Sequence, residues 1–260
     1  MTNDSPNSTR RKLLSGAVVA VSTGISGCDR IATSPAVNST LAAADGLTFH
    51  VQRLLLGRSA LAREYPASAI SKDFRANGTT SPDSEIYQRH AAEAFRNWRL
   101  EIGGLVTTPL SLSLDELRAA PSRSQITRHD CVEGWSSIGQ WRGARLSTLL
   151  QRAGIKPEAR YVAFYCADTL ELTLDGTGDY YETIDLVDAM HEQTILAYEM
   201  NGEALPIAYG APVRLRVERQ LGYKMAKYVM RIELIETFAH LGRDKGGFWE
   251  DRGYQWYAGI

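Results

Sequence analysis

Hydrophobic and polar residues alternate as they do in β-strands along most of the second half of the chain. Seven segments have this pattern or a strand-like composition: 98–106, 124–131, 160–166, 180–186, 194–200, 213–218 and 228–236. Asn201-Gly202 separates two of them and predicts a type I′ hairpin turn, because both residues tolerate a positive φ. The pattern predicts a strand-rich fold.

Helical spacing of apolar residues is weaker and occurs between the strands. It predicts helices over 47–63, 85–95, 145–153 and 186–191, and a short helix that Ser113 caps, with Glu116 three residues later. Gly154 is expected to end the helix over 145–153. We find no internal repeat, so the prediction is one mixed α+β domain over 47–260 with mostly non-local strand pairing.

The first 46 residues have a different composition. Polar residues, the pair Arg10-Arg11 and a short apolar stretch over 14–27 are typical of a secretory signal, and the paired arginines resemble a twin-arginine signal. The apolar stretch is too short to span a membrane as a mature helix. We therefore assign 1–27 to a signal and 28–46, rich in Ser, Thr and Ala, to a flexible tether.

Cys28 ends a segment, Ile25-Ser26-Gly27-Cys28, that resembles a lipobox. The resemblance implies that Cys28 is lipidated and becomes the mature N-terminus, and Asp29 after it favours retention at the inner membrane. The predicted location is the periplasm, with the chain anchored to the inner membrane by lipid after twin-arginine export. Cleavage elsewhere, which would leave a free cysteine, is the alternative.

Composition excludes several classes of protein. The chain has 260 residues, of which 44% are hydrophobic, enough for a sizeable core. Its 29 basic and 30 acidic side chains nearly cancel, which argues against a nucleic-acid binder with a broad basic surface. No run of 18 apolar residues is present, as a polytopic membrane protein would need. Three cysteines are too few for a disulfide scaffold, and their spacing fits no zinc site.

Cys131 has the densest chemical surroundings, within Arg128-His129-Asp130-Cys131-Val132-Glu133-Gly134-Trp135. A cysteine at the end of a strand and before a Gly-Trp turn is well placed to point into a cleft. We expect Arg128 and His129 to lower the pKa of this thiol, although His129 is expected on the opposite face of the strand. From the residues alone, Cys131 is a metal ligand, a nucleophile or a disulfide partner of Cys166.

That motif, together with Trp141-Arg142-Gly143, resembles the cofactor motif of molybdenum enzymes with the sulfite oxidase fold. The chain is most similar to the bacterial molybdopterin-dependent protein-methionine-sulfoxide reductase catalytic subunits and their uncharacterised relatives. Further motifs follow in the same order, among them Gly210-Ala211-Pro212-Val213-Arg214 and Gly222-Tyr223-Lys224. The similarity extends from about Phe74 to Ile235. It implies an α+β, sulfite-oxidase-type molybdopterin-binding domain.

The resemblance implies roles for individual residues. Cys131 corresponds to the family cysteine that ligates molybdenum through its sulfur. Arg214 falls where an arginine binds the pterin phosphate, a task that suits a bidentate guanidinium. Lys227, with the backbone of Met225 and Ala226, falls on the segment that wraps the same cofactor.

Three more positions are implied to contact the cofactor or line its pocket. Asn77 corresponds to a pterin-contacting asparagine. Cys166 stands where the reductases have a threonine near the pterin, and Tyr209 stands where they have an asparagine before Gly-Ala-Pro. The last two departures leave the substrate open.

The implied activity is a two-electron oxygen-atom transfer by Mo-molybdopterin, either sulfoxide-type reduction or sulfite-type oxidation, on a small molecule or an oxidised protein side chain. The protein would fix the orientation and potential of the cofactor. The chain has no C-x-x-C-H haem motif, so electrons would come from a separate membrane cytochrome or quinone-linked subunit. Two alternatives are a non-catalytic molybdopterin-fold lipoprotein that acts in binding or assembly, and a redox protein that uses Cys131 and Cys166 as a dithiol.

Overall fold

The computed structural model describes residues 34–260, which form two units. In the first unit, which ends at Leu54, the described part is helix α1, Pro35–Leu56, whose last residues pass into the second unit. Residues 35–46 are therefore helical and not the flexible tether predicted there, because the alanines and leucines of this segment favour a helix. The predicted signal and lipidated Cys28 lie outside the described residues. Within 34–260, no helix is long and apolar enough to cross a membrane.

The second unit, Leu55–Ile260, contains two five-stranded sheets. The first has the order β2-β1-β10-β5-β6, with β1 parallel to β10 and the other pairs antiparallel. Its strands are β1 Arg99–Gly104, β2 Leu110–Ser113, β5 Tyr161–Thr169, β6 Asp179–Asp185 and β10 Val229–Ile235. Strands β5, β6 and β10 were predicted at nearly these bounds, and β1 lies within the predicted segment 98–106.

The second sheet has the order β3-β4-β7-β8, and β9 also pairs with β7. Its strands are β3 Ser122–Cys131, β4 Trp135–Arg145, β7 Ile195–Met200, β8 Glu203–Ala204 and β9 Arg214–Arg216. The predicted turn between β7 and β8 is confirmed, with positive φ angles of 53° at Asn201 and 87° at Gly202. All pairs in this sheet are antiparallel.

Four short helices connect the strands of the second unit: α2 Glu85–Ala92, α3 Leu114–Ala119, α4 Leu146–Ala153 and α5 Leu186–Ala189. The predicted cap of α3 is confirmed, because Ser113 and Glu116 satisfy each other's backbone N–H groups. Gly154 ends α4 with a positive φ of 73°. The helix predicted over 47–63 ends earlier, at Leu56.

The long strand β4 is absent from the sequence-based prediction. Its buried face consists of Ser137, Gly139, Trp141 and Gly143, so the apolar alternation that marks a half-buried strand is missing. Gly143 is required because a Cβ there would collide with the backbone oxygen of Leu196 on β7. Close approach of two backbones replaces side-chain packing at this point.

The two sheets share one hydrophobic core. Leu100 and Phe164 of the first sheet and Leu196 and Leu215 of the second belong to the same buried cluster. A smaller cluster surrounds Trp141. The prediction of a single strand-rich α+β domain is confirmed for the second unit.

Candidate functional site

Cys131 lies at the C-terminal end of β3, where six separate segments converge on one cavity. Of the residues predicted from the sequence, Asn77, Cys131, Met225 and Lys227 line this cavity. They are far apart in the chain, and the fold brings them together.

The thiol of Cys131 does not have the lowered pKa expected from its neighbours. Arg128 forms an ion pair with Asp130, 2.9 Å away, and His129 is fully buried. Burial raises the pKa of Cys131 above its ordinary value. His129 and Cys131 are two residues apart on one strand and so share a face, contrary to the expectation. Cys131 is a partly buried thiol that metal binding would deprotonate.

Lys227 lines the same cavity. Its ammonium group donates hydrogen bonds to three backbone oxygens, those of Asn77 (2.7 Å), Ala208 (3.1 Å) and Thr79. Burial, with the repulsion of Arg214, lowers the pKa of Lys227 to about 7. A buried cation without a paired carboxylate is costly unless an anion compensates it.

Two more cations lie behind the cavity, on β9. The guanidinium carbons of Arg214 and Arg216 lie 5.0 and 4.4 Å from the ring centre of Trp141, so both arginines face the same side of the strand. Arg216 pairs with Glu218 at 2.6 Å, whereas Arg214 bonds only to the backbone oxygens of Tyr209 and Met225. Burial and the charge of Arg216 lower the pKa of Arg214 to about 9. Both arginines are buried.

The ring of His129 completes this buried, positively charged region. Its Nδ1 accepts a hydrogen bond from Arg216 (3.1 Å), so the proton of the neutral ring resides on Nε2. Burial, with the charges of Arg216, Arg214 and Lys227, lowers the pKa of His129 well below its usual value. A Cβ at Gly222, which lines the cavity, would collide with Nε2. The imidazole therefore lies directly behind the cavity wall.

The residues present fit an anionic cofactor that carries its own metal ligands. Arg214 and Lys227 give the site an excess of buried positive charge, and Arg214 Nε and His129 Nε2 lack hydrogen-bond partners. A phosphate or thiolate group would compensate both deficits. Among residues 34–260, no three His, Cys, Asp or Glu side chains are grouped to hold a metal ion by themselves. A metal held mainly by a cofactor, with Cys131 as its protein ligand, agrees with this donor set.

Comparison with known proteins identifies this arrangement. Residues 87–240, more than half of the chain, match the sequence profile of the oxidoreductase molybdopterin binding domain. The chain belongs to this family. It is thus a molybdopterin-dependent oxidoreductase, and the cofactor implied by the family is Mo-molybdopterin.

Three similar proteins have names that concern methionine sulfoxide. The chain is 39% identical over 235 residues to YedZ1 of Azospira oryzae, provisionally named a protein-methionine-sulfoxide reductase subunit, and the alignment covers 90% of this chain and 81% of that protein. It is 36% and 35% identical to the protein-methionine-sulfoxide reductase catalytic subunits MsrP of Gluconobacter oxydans and Ralstonia nicotianae. These two alignments cover 58% and 54% of this chain, but only 53% and 44% of the MsrP proteins.

One solved structure is also similar in part. The sulfane dehydrogenase SoxCD of Paracoccus pantotrophus is 26% identical, with a TM-score of 0.48. The match covers 55% of this chain and 39% of that one.

Four residues predicted to bind molybdopterin or line its pocket lie outside the cavity lining. Arg214 and Ala226 are buried behind it. Tyr209 packs on Phe74, and its hydroxyl donates to the backbone oxygen of Phe74. Cys166 lies on β5 against the core, where burial, with Asp168 and Glu182 nearby, raises its pKa well above the ordinary value. Both Cys131 and Cys166 are free thiols, and no disulfide joins them.

Several residues of the cavity were not predicted to form it: Thr79, Asp168, Tyr180, Trp249 and Tyr254. Asp168 is the most informative, since it is only 4% exposed and its Oδ1 has no hydrogen-bond partner. Burial raises the pKa of Asp168 to about 6. Trp249 and Tyr254 belong to an aromatic C-terminal segment that is conspicuous in the sequence, but only the fold shows that it lines the cavity.

Proposed function

We propose that this chain is the catalytic subunit of a molybdopterin-dependent protein-methionine-sulfoxide reductase. Methionine sulfoxide and two protons would accept two electrons and give methionine and water. The names of the similar proteins support this choice of substrate and of direction. The structural observation that most supports the proposal is that Cys131 and Lys227 line one cavity, with Arg214 directly behind it.

Molybdopterin would supply the two-electron redox centre that takes up the oxygen atom. The chain would provide the surroundings of that centre. Cys131 would hold the metal through its sulfur, and Arg214 with Lys227 would hold the phosphate end by charge and hydrogen bonds. Tyr180, next to these groups, would form part of an aromatic wall that excludes water and orients the sulfoxide.

The location and partner belong to the same proposal. The Arg10-Arg11 segment would direct export of the folded protein by the twin-arginine route, and lipid on Cys28 would hold it at the periplasmic face of the inner membrane. Electrons would come from a separate membrane cytochrome or quinone-linked subunit. The word subunit in the names of the similar proteins supports such a partner.

An assay with an artificial electron donor tests the reaction. Holoenzyme exported from a cofactor-competent host is expected to reduce N-acetyl-methionine sulfoxide with reduced viologen, and Cys131→Ser to lose this activity by at least about a hundredfold. Cys166→Ser is the matched control and should retain it. Oxidation of sulfite without reduction of sulfoxide would overturn the proposed direction. Molybdenum-loaded protein inactive in both assays would overturn the proposed activity.

Fractionation tests the anchor. The full-length chain should be found with the inner membrane and incorporate labelled fatty acid, whereas Cys28→Ser should be soluble in the periplasm. Export of Cys28→Ser with unchanged membrane association and no label in the wild type would contradict lipidation.

A further inference from the structure

Two leucines stand fully in solvent on the connection between β5 and β6. Leu172 and Leu174 are 101% and 111% exposed, more than any other large hydrophobic residue among those described. A single exposed leucine needs no explanation, but two within three residues on one short loop suggest a binding role.

The loop that carries these leucines is held in a defined shape. The backbone N–H of Leu170 donates to the oxygen of Gly178 (2.9 Å), and the N–H of Gly178 donates to the hydroxyl of Thr173 (2.9 Å). Asp175 accepts from both the N–H and the hydroxyl of Thr177. The loop thus satisfies its own polar groups while its leucines remain outside. Their exposure is a property of an ordered loop.

A second set of contacts joins this loop to the cavity of Cys131. Glu171 accepts two hydrogen bonds from Arg252, from Nε at 2.9 Å and from Nη2 at 2.5 Å. Arg252 belongs to the segment that places Trp249 and Tyr254 in the cavity lining. Leu170, which precedes Glu171, lines the cavity itself. The loop that carries the two leucines therefore begins at the cavity wall.

We propose that Leu172 and Leu174 form a docking surface for an extended, apolar segment of an oxidised protein, whose methionine sulfoxide side chain enters the cavity. This inference rests on the proposed function and names the form of its substrate. Because an extended chain advances only about 3.5 Å per residue, residues that flank a bound methionine sulfoxide must lie on the rim of the cavity. Apolar flanking residues are accessible in unfolded segments, and an apolar rim favours them.

The test compares one protein substrate and one small substrate in the same enzyme. Holoenzyme of the wild type and of L172D/L174D is assayed with reduced viologen, which bypasses the native electron donor. The substrates are a peroxide-oxidised, permanently unfolded protein and N-acetyl-methionine sulfoxide. We expect kcat/KM for the protein to fall about tenfold or more through KM, with kcat/KM for the small sulfoxide within twofold. L61D/I86D removes two other exposed apolar side chains and should leave both values unchanged.

Other results would overturn the docking surface. Equal losses for both substrates, repeated in the milder L172S/L174S variant, would mean that the loop shapes the cavity. Unchanged kinetics with viologen, but slower turnover with electrons supplied by membranes, would assign the leucines to the redox partner. A wild type that does not reduce the small sulfoxide would overturn the proposed function, whereas an active wild type with an unaffected variant would overturn the docking surface alone.

Discussion

The ammonium group of Lys227 donates a hydrogen bond to the backbone oxygen of Asn77, 2.7 Å away across 150 positions of the chain. This bond fixes the loop that contains Asn77 at one side of the cavity. The hydroxyl of Tyr228 donates to the oxygen of Thr79 in the same loop, at 2.8 Å. The loop that is predicted to contact the cofactor is thus tied to the segment that is predicted to wrap it.

Arg214 is expected to retain the cofactor. Arg214→Gln removes a buried cation without a carboxylate partner, so the anionic cofactor should lose one of its main attractions. We expect the molybdenum content per purified chain to fall by about tenfold or more after dialysis, which plasma mass spectrometry measures. Arg142→Gln is the control, because Arg142 is half exposed and pairs only with Glu199. Equal molybdenum in all three proteins would contradict this role.

Asp168 predicts a pH dependence of the cofactor-free chain. Its pKa is raised from 3.8 to about 6 in the folded state, so the folded chain binds this proton more tightly than the unfolded chain does. The stability that Asp168 contributes is full below pH 4 and is lost as the pH rises to about 6. Relative to Asp168→Asn, the wild type should lose about 2 kcal/mol of unfolding free energy between pH 4 and 7.

Urea unfolding of both cofactor-free proteins at several pH values measures this difference. Lys227 lowers the pKa of Asp168 and Asp179 raises it, and both residues are present in the two proteins compared. Parallel stability curves for wild type and Asp168→Asn between pH 4 and 7 would show that Asp168 titrates normally.

Lys224 predicts a large effect on stability. It is completely buried and pairs with both Glu182 (2.5 Å) and Glu250. Burial opposes its charge, but the two carboxylates raise the pKa of Lys224 above its ordinary value. Lys224→Met would leave two carboxyl groups buried without a counter-charge, at a cost of about 3–5 kcal/mol.

The triple variant Lys224→Met, Glu182→Gln, Glu250→Gln is the control for this cluster, and it should be more stable than Lys224→Met alone. The unfolding free energy in urea gives the comparison. A triple variant less stable than the single one would mean that the methionine is accommodated badly and that the charges matter little.

Gly143 predicts a steric effect on strand pairing. Gly143→Ala would place a methyl group against the backbone oxygen of Leu196, which forces β4 and β7 apart and should cost at least about 2 kcal/mol. Gly103→Ala on β1 is the matched control, because nothing lies within 4 Å of its Cβ position. Thermal unfolding of both variants measures the difference. Equal melting temperatures would show that the two strands separate without strain.

The sequence was sufficient to predict elements whose pattern is local. The Ser113 cap, the Asn201-Gly202 turn and most strands of the first sheet each follow from a few neighbouring residues. Strand β4 was missed because its inward face has one large apolar residue, Trp141, among Ser137 and two glycines, which gives no alternating hydrophobic signal. The cavity residue Asp168 was missed for another reason. Nothing near it in the sequence reveals that the fold buries it beside Lys227.

The family resemblance located Cys131 and Lys227, which the structure brings to one cavity. Reasoning from neighbouring charges failed for the thiol of Cys131. It assumed that Arg128 lowers the pKa of the thiol. In the structure Arg128 pairs with Asp130, and burial is the main influence on the pKa of Cys131. Local charge in a sequence does not determine a pKa when the tertiary partners are unknown.

The central claim is that Cys131 holds the molybdenum of a molybdopterin cofactor. X-ray absorption at the molybdenum edge, with metal content per chain, tests it most directly on exported wild type, Cys131→Ser and Cys166→Ser. We predict one molybdenum per chain in the wild type and in Cys166→Ser. It would have three sulfur ligands, two from the molybdopterin and one from Cys131. Cys131→Ser should contain either no molybdenum or molybdenum with two sulfur ligands. An unchanged metal content with three sulfur ligands in Cys131→Ser would contradict the account.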